Sequence, residues 1–244
     1  MKKLLLSAAI LALGASGALA QQVVRLGTEG AYPPYNYINE SNELVGFEID
    51  LGNELCARAS LTCEWVQNDW DSIIPNLVAG NYDAIMAGMN ATEARAEVIA
   101  FSDPYKLPDP SAYMALDGTD PSIMESGVIA AQSNTMQASM AADTSATLIE
   151  FPTADETIAA VRNGTADAVL ADRDFLLTYV NESNGELVFL ATVPSPGAGV
   201  SIGLRQSDTD LAATFNTALD QMKADGSLNA LLRQWFGEEV PVFE

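Results

Sequence analysis

A chain of 244 residues is long enough for one large domain or two smaller ones, each with its own core. Its 33 acidic and 11 basic residues give a formal net charge of −22, which repels phosphate backbones and anionic lipid and argues against nucleic-acid and membrane-surface roles. With no histidine anywhere, catalytic triads and histidine-based metal sites are excluded, and neither a metal nor a cofactor is expected.

In chain order the first feature is a leader. Lys2 and Lys3 precede an apolar run from Leu4 to about Leu13, and Ala18-Leu19-Ala20 fits the small-x-small cleavage pattern. Residues 1–20 therefore read as a secretory signal peptide, with a mature chain starting near Gln21. Loss of the two lysines takes the net charge to −24. No later apolar run approaches the roughly 18 residues of a membrane span, and no cysteine near the cleavage site could carry a lipid. The expected product is soluble, exported and periplasmic.

Strands then alternate with helices, the pattern of an α/β fold. Residues 23–28 read as a short buried strand, 47–59 as a helix, 62–67 as a strand, 71–79 as a helix with Pro75 in its early turns, and 84–89 as a strand. Further on, 127–131 reads as a strand, 155–162 as a helix and 168–170 as a strand. The segment 200–205, a long amphipathic stretch at 210–224 and a terminal helix at 228–236 follow. Cys56 and Cys63, seven apart between a helix and the next strand, suit a disulfide worth about 2 to 3 kcal/mol by loop closure. A redox or metal-binding thiol pair would call for C-x-x-C spacing and further ligands.

The corner after the fifth predicted element carries chemistry. Asn90 stands three residues before Glu93, the spacing of a helix N-cap with its reciprocal partner, and Arg95 follows. Open backbone N–H groups beside a guanidinium favour an anion such as a carboxylate. The plainer alternative is a capped surface helix whose arginine makes a surface salt bridge.

An internal echo constrains the architecture. Ile74-x-x-Leu77-x-x-Gly80-x-x-Asp83-Ala84-Ile85 is matched by Ile158-x-x-Val161-x-x-Gly164-x-x-Asp167-Ala168-Val169, 84 residues later. Each copy reads helix, glycine C-cap, tight turn and buried strand, which suits two similar lobes. The far ends of the two strands deliver Asn90 with Thr92, and Asp172; ligands of open α/β sheets bind at such carboxyl ends.

Gly27-Thr28-Glu29-Gly30-Ala31-Tyr32-Pro33-Pro34-Tyr35, Leu44 through Leu51, Asp69-Trp70-Asp71-Ser72-Ile73-Ile74-Pro75, the Arg95 run, Phe101-Ser102-Asp103-Pro104-Tyr105 and Lys223 through Gly237 follow in order. With these motifs the chain resembles the periplasmic amino-acid-binding proteins of ABC importers, solute-binding family 3. It is most similar to the lysine/arginine/ornithine- and opine-binding branch. The resemblance covers essentially the whole mature chain. It implies a type II periplasmic-binding-protein fold, with two α/β lobes joined by a two-stranded hinge. Residues 21–107 and 200–244 would form lobe one and 108–199 lobe two, with crossovers at 106–110 and 194–199.

The resemblance also implies roles. Arg95 would grip the ligand α-carboxylate with a planar fork, and Asp172 would take the α-ammonium. Tyr32 and Trp70 would sandwich the ligand side chain, Gly88 and Asn90 would add backbone or side-chain contacts, and Asn134 and Thr135 would help hold the carboxylate. Core packing for the two aromatics, and a simple helix cap for Asn134 and Thr135, are the plainer readings. Three departures bear on specificity: Ala87, Gly88 and Asn90 replace serines of relatives, the Gln132-Ser133-Asn134-Thr135 turn lacks the usual glycine, and Met136 stands where a polar residue is common.

Charge counting points to the ligand class. Arg95 and Asp172 satisfy a zwitterion and cancel, leaving Glu29 over, and a buried carboxylate without a partner favours a ligand with one extra positive charge. Arginine, ornithine or lysine is expected, delivered by a monomer to an ABC permease. The alternatives are an opine or neutral polar amino acid, and, in another class, a cyclohexadienyl dehydratase-like lyase using the same cleft; a binder needs no turnover, so no enzyme activity is expected.

Overall fold

Residues 23–244 are described by the computed structural model; the leader reading at 1–20 and the start near Gln21 lie outside the described residues. The apolar runs form two five-stranded sheets built to one plan. In the first the order is Thr62–Gln67, Val23–Thr28, Ala84–Ile85, Gly203–Leu204, Ala100–Phe101. Its first three strands are parallel, and Gly203–Leu204 runs antiparallel to both neighbours. In the second the order is Thr147–Phe151, Val128–Gln132, Ala168–Asp172, Ser111–Leu116, Leu187–Val193, again three parallel strands and then a fourth antiparallel to both neighbours. The mixed α/β class and the two-sheet type II architecture are as the sequence implies.

The echoed motif accounts for the shared plan. Its helices are Ile73–Val78 and Ala154–Arg162, each followed by a glycine in the left-handed region, Gly80 at φ 82° and Gly164 at φ 77°. Few L side chains other than asparagine adopt that conformation cheaply. The following aspartate docks alike in both copies. Asp83 N–H donates to Arg25 O and Asp167 N–H to Val128 O, both at 2.8 Å. The carboxylates in return accept Arg25 N–H at 3.0 Å and Val128 N–H at 2.7 Å. A backbone clamp thus seats Ala84–Ile85 and Ala168–Asp172 at the centre of their sheets.

Several boundaries differ from expectation. The 71–79 helix is a single 3-10 turn, Trp70–Ser72, followed by the α-helix Ile73–Val78; Pro75 lies in its first turn, where an amide N–H has no helical partner to lose. The 84–89 strand pairs only over Ala84–Ile85, because Gly203–Leu204 offers it two partners. Strands Ser111–Leu116, Thr147–Phe151 and Leu187–Val193 and helices Met136–Ala142 and Arg173–Glu182 were not expected from the residues. Cys56 and Cys63 are disulfide-bonded with Cα atoms 6.2 Å apart, tying the end of the helix Phe47–Arg58 to the edge strand Thr62–Gln67. Among the described residues no helix is long and apolar enough to cross a membrane.

The chain passes between the sheets twice, and Val200 bridges to both Asn90 and Lys106 where the two passages meet. Lys106 is wholly buried there. Its ammonium pairs with Asp109 and, at 2.9 Å, with Asp174, and lies 4.8 Å from the Phe236 ring. A buried cation is tolerable only with such partners.

Candidate functional site

The carboxyl ends of the parallel strands in the two sheets face one another, as the switch-point rule for open α/β sheets requires. Glu29 follows Val23–Thr28, and the 86–90 segment follows Ala84–Ile85; from the other side come Gln132, the last residue of Val128–Gln132, and Asp172, the last of Ala168–Asp172. Between them lies a cleft. Of the residues the sequence singles out, Glu29, Tyr32, Trp70, Gly88, Asn90, Arg95, Thr135 and Asp172 line it. Asn134 stands at its rim in a neighbouring groove.

Arg95 is a cation without an anion. Its Nη1 donates to Asn90 O at 3.0 Å and its Nη2 to Asn134 O at 3.2 Å, and its guanidinium sits 5.1 Å from the Trp70 ring centre. Among the described residues no carboxylate pairs with it. Burial lowers its pKa to about 10, with the charge of Asp172 acting the other way, so it stays protonated at neutral pH. The local cap differs from expectation. Thr92, not Asn90, caps the short helix Glu93–Ala96, its hydroxyl oxygen accepting Arg95 N–H at 3.3 Å. Asn90 instead lies in the bridge to Val200, and its side chain packs where any Cβ on Gly197 would fall. The strand passage from 194 to 200 claims Asn90 before a helix can use it.

Two carboxylates complete the charge pattern. Asp172 occupies the N-cap position of Arg173–Glu182 without spending its side chain on the cap. Its Oδ2 accepts the Tyr32 hydroxyl at 2.9 Å and its Oδ1 accepts Gln137 Nε2 at 2.9 Å. Burial raises its pKa, and the Tyr32 hydrogen bond and the Lys106 charge oppose that rise. Glu29, 6 % exposed, accepts Gln132 Nε2 at 2.8 Å. Burial pushes its carboxyl to about 7; the Gln132 bond lowers it, and the Asp155, Asp69 and Asp71 charges add to the rise. Neither carboxylate has a basic partner within ion-pair distance among the described residues.

The aromatic walls are asymmetric. Tyr32 stacks on Phe175 with ring centres 4.3 Å apart and planes 3° from parallel, so one of its faces is taken. Gly88, at φ 62°, brings its backbone against Tyr32, where a Cβ would come within 3.3 Å of the ring. Its N–H donates to Glu48 Oε1 at 2.7 Å. Glu48 is fully buried and also accepts Asn36 Nδ2 at 2.7 Å and the Tyr105 hydroxyl, which fixes this wall. The missing turn glycine is replaced by Asn134 at φ 57°, asparagine being one of the few residues that tolerate that region. The Thr135 hydroxyl is committed, donating to Gln132 O at 2.6 Å and accepting Ala138 N–H at 3.1 Å as a helix cap. Only its backbone N–H can serve a ligand carboxylate. At the rim Asp71 Oδ1 accepts both Ser133 Oγ at 2.7 Å and Asn134 Nδ2 at 2.8 Å, while Trp70 Nε1 donates to Ser133 O at 3.0 Å. Asp71, Gln132, Gln137 and Glu48 have roles here that no local sequence pattern assigned.

A family model described as bacterial extracellular solute-binding proteins, family 3, matches residues 24–238. The chain is 29% identical over 244 residues to the putative ABC transporter arginine-binding protein 2 of Escherichia coli strain K12, covering 97% of this chain and 99% of that one. It is 29% identical over 261 residues to the lysine/arginine/ornithine-binding periplasmic protein of the same strain, covering 98% and 99%. A crystal structure of a periplasmic His/Glu/Gln/Arg/opine family-binding protein from Silicibacter pomeroyi in complex with lysine is 58% identical, covers 90% of this chain and 100% of its own, and superposes with a TM-score of 0.86.

Proposed function

The chain belongs to the bacterial extracellular solute-binding proteins, family 3, and from that premise we propose that it captures a cationic L-amino acid, arginine, ornithine or lysine, and delivers it to an ABC permease. The observation that carries this reading is the set of unpaired charges in the cleft: one guanidinium, Arg95, and two carboxylates, Asp172 and Glu29. A zwitterion answers the first two. Glu29 is left for a distal positive charge, held between Tyr32 and Trp70, where an aliphatic stem buries area and its cationic tip meets ring faces.

In this reading Arg95, with the backbone at Asn134 and Thr135, holds the α-carboxylate; Asp172 and the backbone at Gly88 and Asn90 serve the α-ammonium end. The chain works as a monomer of two lobes, 21–107 with 200–244 and 108–199, which open about the crossovers and close on the ligand. It is exported, and it releases its ligand unchanged. The lysine-bound relative at 58% identity supports the ligand class.

The test is calorimetry of the purified mature protein with L-arginine, L-ornithine, L-lysine, L-glutamine and an opine. Binding of at least one cationic amino acid more tightly than glutamine is expected; preference for the neutral ligand or the opine would overturn the assignment. Incubation with prephenate and arogenate should give no aromatic product.

A further inference from the structure

Gln137 lies in the first turn of the helix Met136–Ala142, is 4 % exposed and forms part of the cleft wall. Its amide has a single consistent orientation. Asp172 Oδ1 lies 2.9 Å from Nε2, and an ionised carboxylate only accepts hydrogen bonds, so the atom facing it must be the NH₂ group. The second N–H of that group goes to Ser111 Oγ at 3.0 Å, and Ser111 is wholly buried. Both donors are thereby spent. The amide oxygen accepts no hydrogen bond from the described residues, although the side chain borders the cleft beside the Asp172 carboxylate. That oxygen is not sealed from solvent, so a ligand N–H entering the cleft can replace water as its donor.

We infer that Gln137 is a specificity-determining residue of this site. Its NH₂ group positions the Asp172 carboxylate, and its Oε1 accepts a hydrogen bond from the same ligand ammonium. This rests on the amino-acid-binding reading above. Ser111 is the residue that fixes the amide, acting only through Gln137. Together with the Tyr32 hydroxyl, Gln137 occupies one lone pair on each Asp172 oxygen, which leaves the remaining lone pairs and Gln137 Oε1 as the acceptors for a primary ammonium. The pocket would thus discriminate a free α-amine, with three N–H donors, from an N-alkylated one.

The other groups around Asp172 act on its titration as well. Lys106 favours the ionised form and Asp174 opposes it, Tyr32 donates to it, and Arg95 is coupled to it through charge. None of these is altered by a change at Gln137, so the change in Asp172 on substitution isolates the amide.

The experiment compares wild type, Gln137→Leu and Ser111→Ala. In ligand-free protein, NMR titration of the labelled Asp172 carboxyl should show its midpoint raised by about one pH unit in Gln137→Leu, with a smaller rise in Ser111→Ala. For L-lysine binding between pH 5 and 8, the variant-to-wild-type ratio of dissociation constants cancels the contribution of Glu29. That ratio should be roughly tenfold at pH 8, reporting the lost acceptor, and should grow as the pH falls. An Asp172 midpoint unmoved in both variants overturns the positioning role, and a ratio of one at pH 8 overturns the ligand contact. If Gln137→Leu does not fold, the Ser111→Ala midpoint alone decides the positioning. Failure of wild type to bind any amino acid would sink the functional reading while leaving the carboxyl titration to decide the role of Gln137.

Discussion

The Tyr32 hydroxyl donates to Asp172 Oδ2 across the cleft, joining the short strand Ala31–Tyr32, just past one sheet's inner strand Val23–Thr28, to the last residue of the other sheet's central strand. The contact keeps a buried carboxylate partnered in the absence of ligand. It also marks where an ammonium would bind, since a cation beside that oxygen gains more than a neutral hydroxyl does.

Arg95→Ala and Asp172→Asn should each abolish measurable binding of a cationic amino acid while leaving the melting temperature of the ligand-free protein within a few degrees of wild type. Each change leaves one ligand charge buried without its partner, at a cost of roughly 2 to 5 kcal/mol or more. Calorimetry that finds either variant within threefold of wild type would remove that residue from the site.

Glu29→Gln should weaken arginine or lysine strongly and spare glutamine. The substitution keeps the shape of the side chain and raises the cleft's charge by one, removing a charge-assisted contact for a cation only. The quantity to measure is the ratio of dissociation constants for lysine and glutamine; an unchanged ratio places Glu29 outside the specificity pocket.

The carboxyl of Glu29, held near pH 7 by burial, makes cation binding pH-dependent. A raised carboxyl pKa means that the folded protein holds a proton that the unfolded chain has already lost. Its contribution to stability is therefore present below the ordinary carboxylate range and is lost as the pH rises toward about 7. Binding shows the opposite slope: a cationic ligand needs the ionised form, so affinity for lysine should rise between about pH 6 and 8, and binding should release protons into buffer. The slope should shrink in Glu29→Gln to the part that Asp172 contributes. Calorimetry in buffers of different ionisation enthalpy reads both effects.

Reduction of the Cys56–Cys63 bridge should lower the melting temperature without abolishing ligand binding, because the bridge fastens an edge strand rather than a cleft wall. A loop of this size is worth about 2 to 3 kcal/mol. Two free thiols in protein purified from the periplasm would contradict the pairing.

Measured at pH 8, where Glu29 is largely ionised with or without the Asp71 charge, Asp71→Ala should weaken lysine and glutamine by the same factor, roughly three- to tenfold, because it removes the acceptor for Ser133 and Asn134 at the rim. A changed lysine-to-glutamine ratio would place Asp71 within the ligand's reach.

Part of the candidate site was legible from local signals: Asp172 ends a recognisable strand, Arg95 follows a capping pattern, and the glycines at 80 and 164 repeat a turn. The roles given to Tyr32 and Trp70 came only with the family resemblance. What was illegible depended on distance in sequence. Asn90 reads as a cap because Glu93 follows at capping spacing, yet its partner Val200 lies far along the chain, and that bridge wins. Ser111–Leu116 is buried along nearly its whole length, so it shows no alternation to mark it as a strand. The helix Arg173–Glu182 begins directly at the end of a strand with no turn residue to announce it. The roles of Gln132 and Gln137 exist only because residues from other strands reach them.

The repeated sheet plan places Glu29 and Gln132 at corresponding positions, each just past or at the end of the second strand in its sheet, and the two meet at 2.8 Å. Had the halves been identical subunits of a symmetric pair, each residue there would confront its own copy. Two acids would repel, and two amides would offer a cation no charge. Joining the halves in one polypeptide lets the matching positions diverge, so that one wall carries the charge and the other supplies the hydrogen that orients it.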